Sequence, residues 1–239
     1  MIDLHSHVLP ALDDGSPDDA TSLEMCRLAA DDGITTLVAT PHFANGLGPS
    51  DSSLVSPAVA RLQAFLDQSG ISLSLRCAVE MPLLDNLPAL YKSGTWLAYD
   101  PSRRYLLFEM PDLPFRALDI LARSVSTLHL LGAVPVLAHP ERLHFLDDLQ
   151  DARHIRRLGA VFQITAQAIF SDSSDGTRAR LWLDEGLVAC VASDAHDTRH
   201  RPPLLSRARQ WLADRYGDPA ADALTRGNPE RILSGAPLP

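Results

Sequence analysis

The sequence predicts an α/β fold in which parallel strands and helices alternate around a barrel-like sheet. Three observations point there. Short β-branched or apolar runs are separated throughout by helix-like segments, the pattern of repeated βα units. The 239 residues, 46% hydrophobic and 21% charged, suit one large α/β domain spanning 1–239 better than two small ones, since barrels of this class run to such lengths. Histidines or carboxylates follow almost every apolar run, where the strand-end loops of a parallel barrel converge on one rim.

Seven strands are expected: Ile2 to Leu4, Thr35 to Ala39, Ser74 to Val79, Tyr105 to Phe108, Val134 to Ala138, Val161 to Ile164 and Leu187 to Ala192. The first helix is expected over about Pro17 to Asp32, with Ser16 as N-cap, Pro17 at the first helical position, Asp18 and Asp19 complementing the dipole and Gly33 after its end. Its Leu23, Cys26, Leu28 and Ala30 would face the sheet. Ser56 and Pro57 repeat the start signal before a second helix carrying Val59, Leu62 and Leu66 on one face. Arg116 to Leu131 reads as a third, closed by Gly132. Ala44 to Val55 and Ser171 to Thr177, rich in Gly, Ser, Asp and Asn, read as loops, and the tail from Asn228 to Pro239 as a segment that frays.

Composition excludes several function classes. The longest apolar runs, such as Ala133 to Ala138 and Leu187 to Ala192, fall far short of the roughly 20 residues that span a bilayer. Asp3 and His5 stand where a secretory signal would be basic and then apolar, so a cytoplasmic location is expected. A net charge of -9 without a basic stripe argues against a nonspecific grip on nucleic acid. Cys26, Cys77 and Cys190 make neither a disulfide framework nor a thiolate zinc site and read as buried small hydrophobes.

The chemistry lies at the strand ends. Strand one runs into His5, Ser6 and His7, strand two into Thr40, Pro41 and His42, strand three into Glu80, strand four into Glu109, strand five into His139 and strand seven into Asp194 and His196; strand six, ending at Thr165, is the exception. His5 and His7 share one face of an extended segment because strand side chains alternate. Asp13 and Asp14 precede Gly15 in the first loop; the sequence suits a turn, and with the other groups in view Asp14 reads as a ligand. Five imidazoles (His5, His7, His42, His139, His196) and four carboxylates (Asp14, Glu80, Glu109, Asp194) exceed the needs of one ion. Two or three divalent transition-metal ions are expected, manganese first, with iron, cobalt or zinc as alternatives, since mixed nitrogen and oxygen donors suit these better than calcium or magnesium. Such a centre serves hydrolysis. Arg142 follows His139-Pro140-Glu141 and Arg201 follows His196 by five residues. Guanidinium forks match phosphate oxygens, so the pair points to a phosphoester.

Read together, these residues resemble the polymerase and histidinol phosphatase (PHP) superfamily. Within it, MIDLHSHVLPALDDGSPD, GITTLVATPHF, RYLLFEMP, VPVLAHPER, VASDAHD and RPP are similar to segments of the CpsB/CapC-type bacterial protein tyrosine phosphatases, and the similarity continues to NPERIL near the carboxyl terminus. The resemblance implies a distorted (β/α)7 TIM-like barrel, the PHP fold, with a trinuclear metal site at the C-terminal ends of the strands. It implies His5, His7, Glu80 and Asp194 on one ion, Glu80, Glu109 and His139 on a second, and Asp14, His42 and His196 on the third. Arg142 and Arg201 match its phosphate-binding arginines. The implied substrate is phosphotyrosine on the tail of a bacterial tyrosine kinase that controls capsule or exopolysaccharide export. Met81, Phe43, Thr165 and His200 depart from the family pattern around the pocket mouth.

The mechanism expected is direct attack of metal-activated water on phosphorus, with Arg142 and Arg201 stabilising the equatorial oxygens and His42 or His196 assisting the phenolate. A cysteine mechanism needs an arginine six positions after the nucleophile, whereas Asp32, Leu83 and His196 stand six after the three cysteines. The rival readings are a PHP phosphatase for a small metabolite such as histidinol phosphate and a non-catalytic regulatory binding protein. Oligomeric state is left open by the sequence.

Overall fold

The computed structural model describes residues 1–43, 48, 51–84, 86–111 and 116–239. Every strand pairing is parallel. β1 (Ile2–Ser6), β2 (Thr36–Ala39) and β3 (Ser74–Cys77) form one sheet in that order, and β4 (Met81–Pro82), β5 (Tyr105–Glu109), β6 (Val134–Ala138), β7 (Val161–Thr165) and β8 (Val188–Ala192) form another. The expected third strand is therefore broken, with β3 ending at Cys77 and β4 resuming four residues later. Pro41, which has no N–H to give, stands opposite the break and only accepts, from the Glu80 amide at 3.1 Å.

The two sheets meet at both edges. Glu80 pairs with His42 at one seam, and at the other the Asp194 amide donates to His5 O at 2.9 Å while the His7 amide donates to Ala195 O at 2.7 Å. Following the chain around the rim thus passes seven strand positions and returns to β1, the distorted barrel-like arrangement expected.

Alternation along the strands separates two apolar regions. Leu37, Leu106, Phe108, Leu137, Phe162 and Ile164 point outward and pack under helices, whereas Ile2, Leu4, Val38, Tyr105, Leu107, Val136 and Val161 point inward. A parallel sheet buried on both faces needs such covering. Toward the C-terminal ends the inward row turns polar: Tyr105 and Leu107 are followed in phase by Glu109, and Val161 by Gln163 and Thr165. In β1 the register shifts between Asp3 and Ser6, and a bulge of this kind re-aims side chains. His5 and His7 therefore reach the interior although Ile2 and Leu4 precede them there.

The outer helices are α1 (Asp19–Asp31), α2 (Val55–Gln68), α3 (Leu87–Ser93), α4 (Ala117–Leu130), α5 (Leu149–Arg157), α6 (Ser174–Asp184), α7 (Ser206–Tyr216), α8 (Asp218–Asp222) and α9 (Asn228–Ser234). Several start signals shift. Asp18, not Ser16, caps α1 by accepting from the Thr21 amide at 2.8 Å, because the Ser16 hydroxyl is turned to Asp18 O. The buried face of α1 is Ser22, Met25, Cys26 and Ala29, a phase of i, i+3, i+4, i+7 that leaves Leu23, Leu28 and Ala30 only half-buried. A 3-10 turn, Ser52–Leu54, capped by Asp51, leads directly into α2, so Ser56 and Pro57 lie inside its first turn. The predicted 44–55 loop otherwise falls on 44–47 and 49–50, outside the described residues. Val59, Leu62 and Leu66 are buried as expected. The predicted 171–177 loop ends early: Ser173 accepts from the Gly176 amide and starts α6.

The carboxyl-terminal tail is tied down rather than frayed. Asn228 donates to Ala189 O at 2.8 Å, Tyr105 donates to Ala236 O at 2.8 Å, and Ile232 is fully buried against the inner apolar cluster. Helix α9 thus closes the barrel end opposite the rim. Among the described residues no helix is long and apolar enough to cross a membrane. We expect Ile232→Ala to cost about 2–5 kcal/mol, the range for truncating a buried aliphatic side chain, seen as a lower urea midpoint; an unchanged midpoint would show that α9 does not seal the interior.

Candidate metal centre

All nine side chains singled out at the strand ends and in the first loop come together at one rim. Four overlapping sets place one donor atom from each member within 4.8 Å of the others: His5, His7 and Glu80; His5, His139 and Asp194; His42, Glu80 and Glu109; and His7, Asp14, His42 and His196. The grouping differs from the implied one in where His139 stands. It joins His5 and Asp194 while its Nε2 also lies 3.0 Å from Glu80 Oε1, and His42 takes the place beside Glu80 and Glu109.

Glu80 is the hub. Its Oε2 lies 3.1 Å from His5 Nε2, 3.2 Å from His7 Nε2 and 3.3 Å from His42 Nδ1. His5 Nε2 and His7 Nε2 are themselves 3.1 Å apart, so the two rings aim at one point. Asp194 divides its oxygens: Oδ1 faces His5 at 3.4 Å and His7 at 3.6 Å, whereas Oδ2 accepts from Arg142 and from Arg201, each at 2.5 Å. Asp14 is the most exposed member, with Oδ1 3.4 Å from His42 Nε2 and 3.5 Å from His196 Nε2.

The backbone is bent to hold this arrangement. His139 has φ of 32° and Asp194 φ of 54°, both in the left-handed region that non-glycine residues rarely adopt. Strain of this kind persists where surrounding structure enforces it and clusters at working sites. His139 follows β6 directly and Asp194 follows β8 after Ser193, and the left-handed step turns each side chain over the barrel mouth.

A second layer orients the rings. His5 Nδ1 lies 2.8 Å from Gln163 Oε1, His7 Nδ1 lies 2.7 Å from Asp13 Oδ2, and His196 Nδ1 lies 3.0 Å from Asp194 O. Each ring donates from Nδ1 to these acceptors, which leaves Nε2 as the nitrogen aimed at the cluster. Asp13 also accepts from the Gly15 and His42 amides, so the residue that makes the turn is also the partner of His7. A Cβ on Gly15 would stand 2.1 Å from His7 O, which explains the glycine. Neither Gln163 nor the second-layer role of Asp13 was drawn from the sequence. The signal for Gln163 was its phase with Val161 on the inward face.

Electrostatics follow from this packing. Burial pulls the His5 and His7 imidazoles down, but Glu80 and Asp194 around His5, and Asp13, Asp194 and Glu80 around His7, outweigh it and hold both above their usual value. Burial likewise lowers His42, yet Glu109 and Glu80 leave it raised. Burial would raise Glu80 and Asp194, and the imidazoles, with Arg142 beside Asp194, drive both carboxyls well below the usual range. His196 is pushed down to about 3 by burial, His7 and Arg201. Despite the crowding, buried Glu80 Oε2 and His42 Nδ1 have no hydrogen-bond partner. An orphaned carboxylate oxygen and an orphaned ring nitrogen facing each other fit a divalent cation between them.

The chain matches the family described as capsular polysaccharide synthesis, CpsB/CapC, over residues 1–234. It belongs to that family. It is 32% identical to the tyrosine-protein phosphatase YwqE of Bacillus subtilis, over 98% of this chain and 91% of YwqE. It is 28% identical to the tyrosine-protein phosphatase CpsB of Streptococcus pneumoniae, over 98% of each. Its fold is similar, with a TM-score of 0.88 and 30% identity over 100% of this chain and 96% of the other, to a chain from the crystal structures of YwqE and CpsB, described there as metal-dependent tyrosine phosphatases.

For this family member the second layer makes a direct prediction. Asp13→Ala and Gln163→Leu each leave all nine candidate ligands in place, yet metal affinity should fall by about 10–100-fold, as loss of a ring-orienting partner typically does. Manganese titration of the metal-stripped variants measures this, and wild-type affinity in both would show that the partners do not orient the rings.

Proposed function

We propose that this protein is a metal-dependent phosphoesterase that hydrolyses phosphotyrosine in proteins. Its substrate in this reading is the tail of a bacterial tyrosine kinase governing capsule or exopolysaccharide synthesis, met in the cytoplasm. The observation that carries the reading is the convergence of Arg142 and Arg201 on the carboxylate that also faces the histidine cluster. Two guanidinium forks thereby border the point where five imidazoles and four carboxylates gather. Relatives named tyrosine-protein phosphatases that align over nearly the whole chain support it.

In this proposal the nine residues hold two or three divalent transition-metal ions, manganese first among them. Such ions supply Lewis acidity toward phosphoryl oxygens and lower the pKa of bound water to about 7. The protein's own groups do the rest. Arg142 and Arg201, with side chains 40% and 34% exposed, are open enough to receive phosphate oxygens and can leave Asp194 for them. Asp13 and Gln163 hold the Nδ1 protons of His7 and His5, so Nε2 of each ring is the nitrogen presented to an ion. His42 and His196 are the two candidates to serve the leaving phenolate. A phenolate with a pKa near 10 needs modest help. Cys26 and Cys190 are buried, which pushes their thiols up to about 12, the opposite of an activated nucleophile.

Chelation should abolish hydrolysis of para-nitrophenyl phosphate and of a phosphotyrosine peptide, and Mn²⁺ should restore both. Glu80→Gln should lower turnover by on the order of a hundredfold or more, since losing even a ring-orienting partner costs about 10–100-fold. Turnover indifferent to chelator and to Glu80→Gln would refute the proposal, and a strong preference for histidinol phosphate over the peptide would redirect it to a small metabolite.

The raised imidazoles predict the pH dependence of loading. His5, His7 and His42 sit above their usual value without metal, so the metal-free site holds protons more tightly than free imidazoles do, and an ion must displace them. Metal binding should release protons and weaken as pH falls. Calorimetry in two buffers of different ionisation enthalpy reads the release directly, and identical heats after correction for binding enthalpy would contradict it.

A further inference from the structure

Beside the metal centre lies a cleft that the proposed reaction does not use. Its cavity is about 200 Å³ and is bounded by Phe170 and Gln167 from the 3-10 turn after β7, by Arg199, His200 and Leu204 from the loop after β8, and by Arg207 from α7. Ser193, the residue before Asp194, forms its inner wall, so the cleft opens within one residue of the group that Arg142 and Arg201 grip. Gln167 also lines a second hollow, whose wall includes Arg142.

The cleft is positively charged in a chain whose net charge is -9. Among the described residues neither Arg199, His200 nor Arg207 has a carboxylate within ion-pair distance, unlike Arg201 and Arg209 nearby. Asp197, beside them in the loop, turns its carboxylate to the backbone, where Oδ1 accepts from the amides of Arg199 and His200 at 2.6 Å each and of Arg201 at 3.3 Å, and its charge also acts on His200, which leaves the two arginines as the cations of the cleft. This turn sets the Arg201 backbone, whose carbonyl accepts from the His196 amide, and holds Arg199 and His200 at the edge of the cleft. Arg207 lies over the Phe170 ring, 3.9 Å from its centroid, which presents a guanidinium on a flat apolar floor.

We infer that this cleft is a specificity subsite that takes an acidic side chain, Asp or Glu, close in sequence to the phosphotyrosine of the substrate polypeptide. The inference rests on the phosphotyrosine reading above. Charge complementarity names the occupant: a carboxylate meets unpaired guanidiniums, while the aliphatic part of the same side chain covers Phe170 and Leu204, the latter 42% exposed. A local positive field at the mouth of an otherwise acidic protein also steers such a segment toward the site. Exposed pairs of this kind are individually weak, so the two arginines together should favour an acidic peptide by about three- to tenfold, mainly in KM.

The test compares kcat/KM for a phosphotyrosine peptide flanked by Glu with the same peptide carrying Gln, using metal-loaded wild type and an Arg199→Gln/Arg207→Gln double variant, with para-nitrophenyl phosphate as reference. Wild type should prefer the acidic peptide, the preference should shrink as salt is raised, and the double variant should lose it while hydrolysing para-nitrophenyl phosphate normally and melting at the same temperature. Equal rates on the two peptides in wild type, or a preference that survives in the double variant, would overturn the subsite while para-nitrophenyl phosphate turnover still upholds the phosphatase. Failure of wild type on all three substrates would instead overturn the phosphotyrosine reading.

Discussion

The structure depends on keeping one fully buried carboxylate, Glu80, charged. An isolated ion in a protein interior costs several kcal/mol, and Glu80 avoids that cost by standing among the rings of His5, His7, His42 and His139. Those rings come from three different segments, after β1, β2 and β6, and each has to be brought over the barrel mouth. The shifted register in β1, the break between β3 and β4 opposite Pro41, and the left-handed step at His139 all serve that requirement. The regular part of the barrel, below the rim, is apolar and closed by Ile232. The irregular part lies where the charge is.

Orientation is handled separately from supply. Asp13 and Gln163 each take one ring nitrogen, which leaves the other in a single tautomer. Gly15 lets the Asp13 turn lie directly on the His7 carbonyl. Glu141 acts similarly on the far side: it is buried and its Oε1 accepts from the Thr165 amide at 2.8 Å, fastening the Pro140–Arg142 turn to β7. Arg178, also buried, donates to Glu141 O and to Asp147 from behind. The turn that carries Arg142 is therefore anchored by its neighbours, while Arg142 itself remains open to solvent.

Charge is distributed in two shells. Carboxylates and imidazoles face inward around Glu80, and arginines stand outside them at the opening. Asp194 belongs to both, with one oxygen for each shell. A phosphate arriving at the mouth meets cations first, in a protein of net charge -9. The same logic extends sideways to Arg199 and Arg207, neither of which has a carboxylate of the described residues within ion-pair distance.

The sequence by itself determined the βα alternation, the seven strand positions and the list of polar residues at their ends, because periodicity and the contrast between apolar runs and terminal His, Asp and Glu are local properties. It also determined the face of α2 and the extent of α4, where Val59, Leu62 and Leu66, and Leu121, Val125 and Leu128, repeat at helical spacing. Only the tertiary structure decided that Asp18 caps α1 in place of Ser16, that Asp13 and Gln163 orient rings, that His139 stands with His5 and Asp194, and that the Asn228 to Pro239 tail seals the barrel. The Asp18 cap and the Asp13 contact are settled within a few residues, but the others depend on a partner far away in the chain: 158 residues separate His5 from Gln163 and 131 separate Tyr105 from Ala236. Spacing reports which side a residue faces. Which group waits there is set by how the strands close on one another.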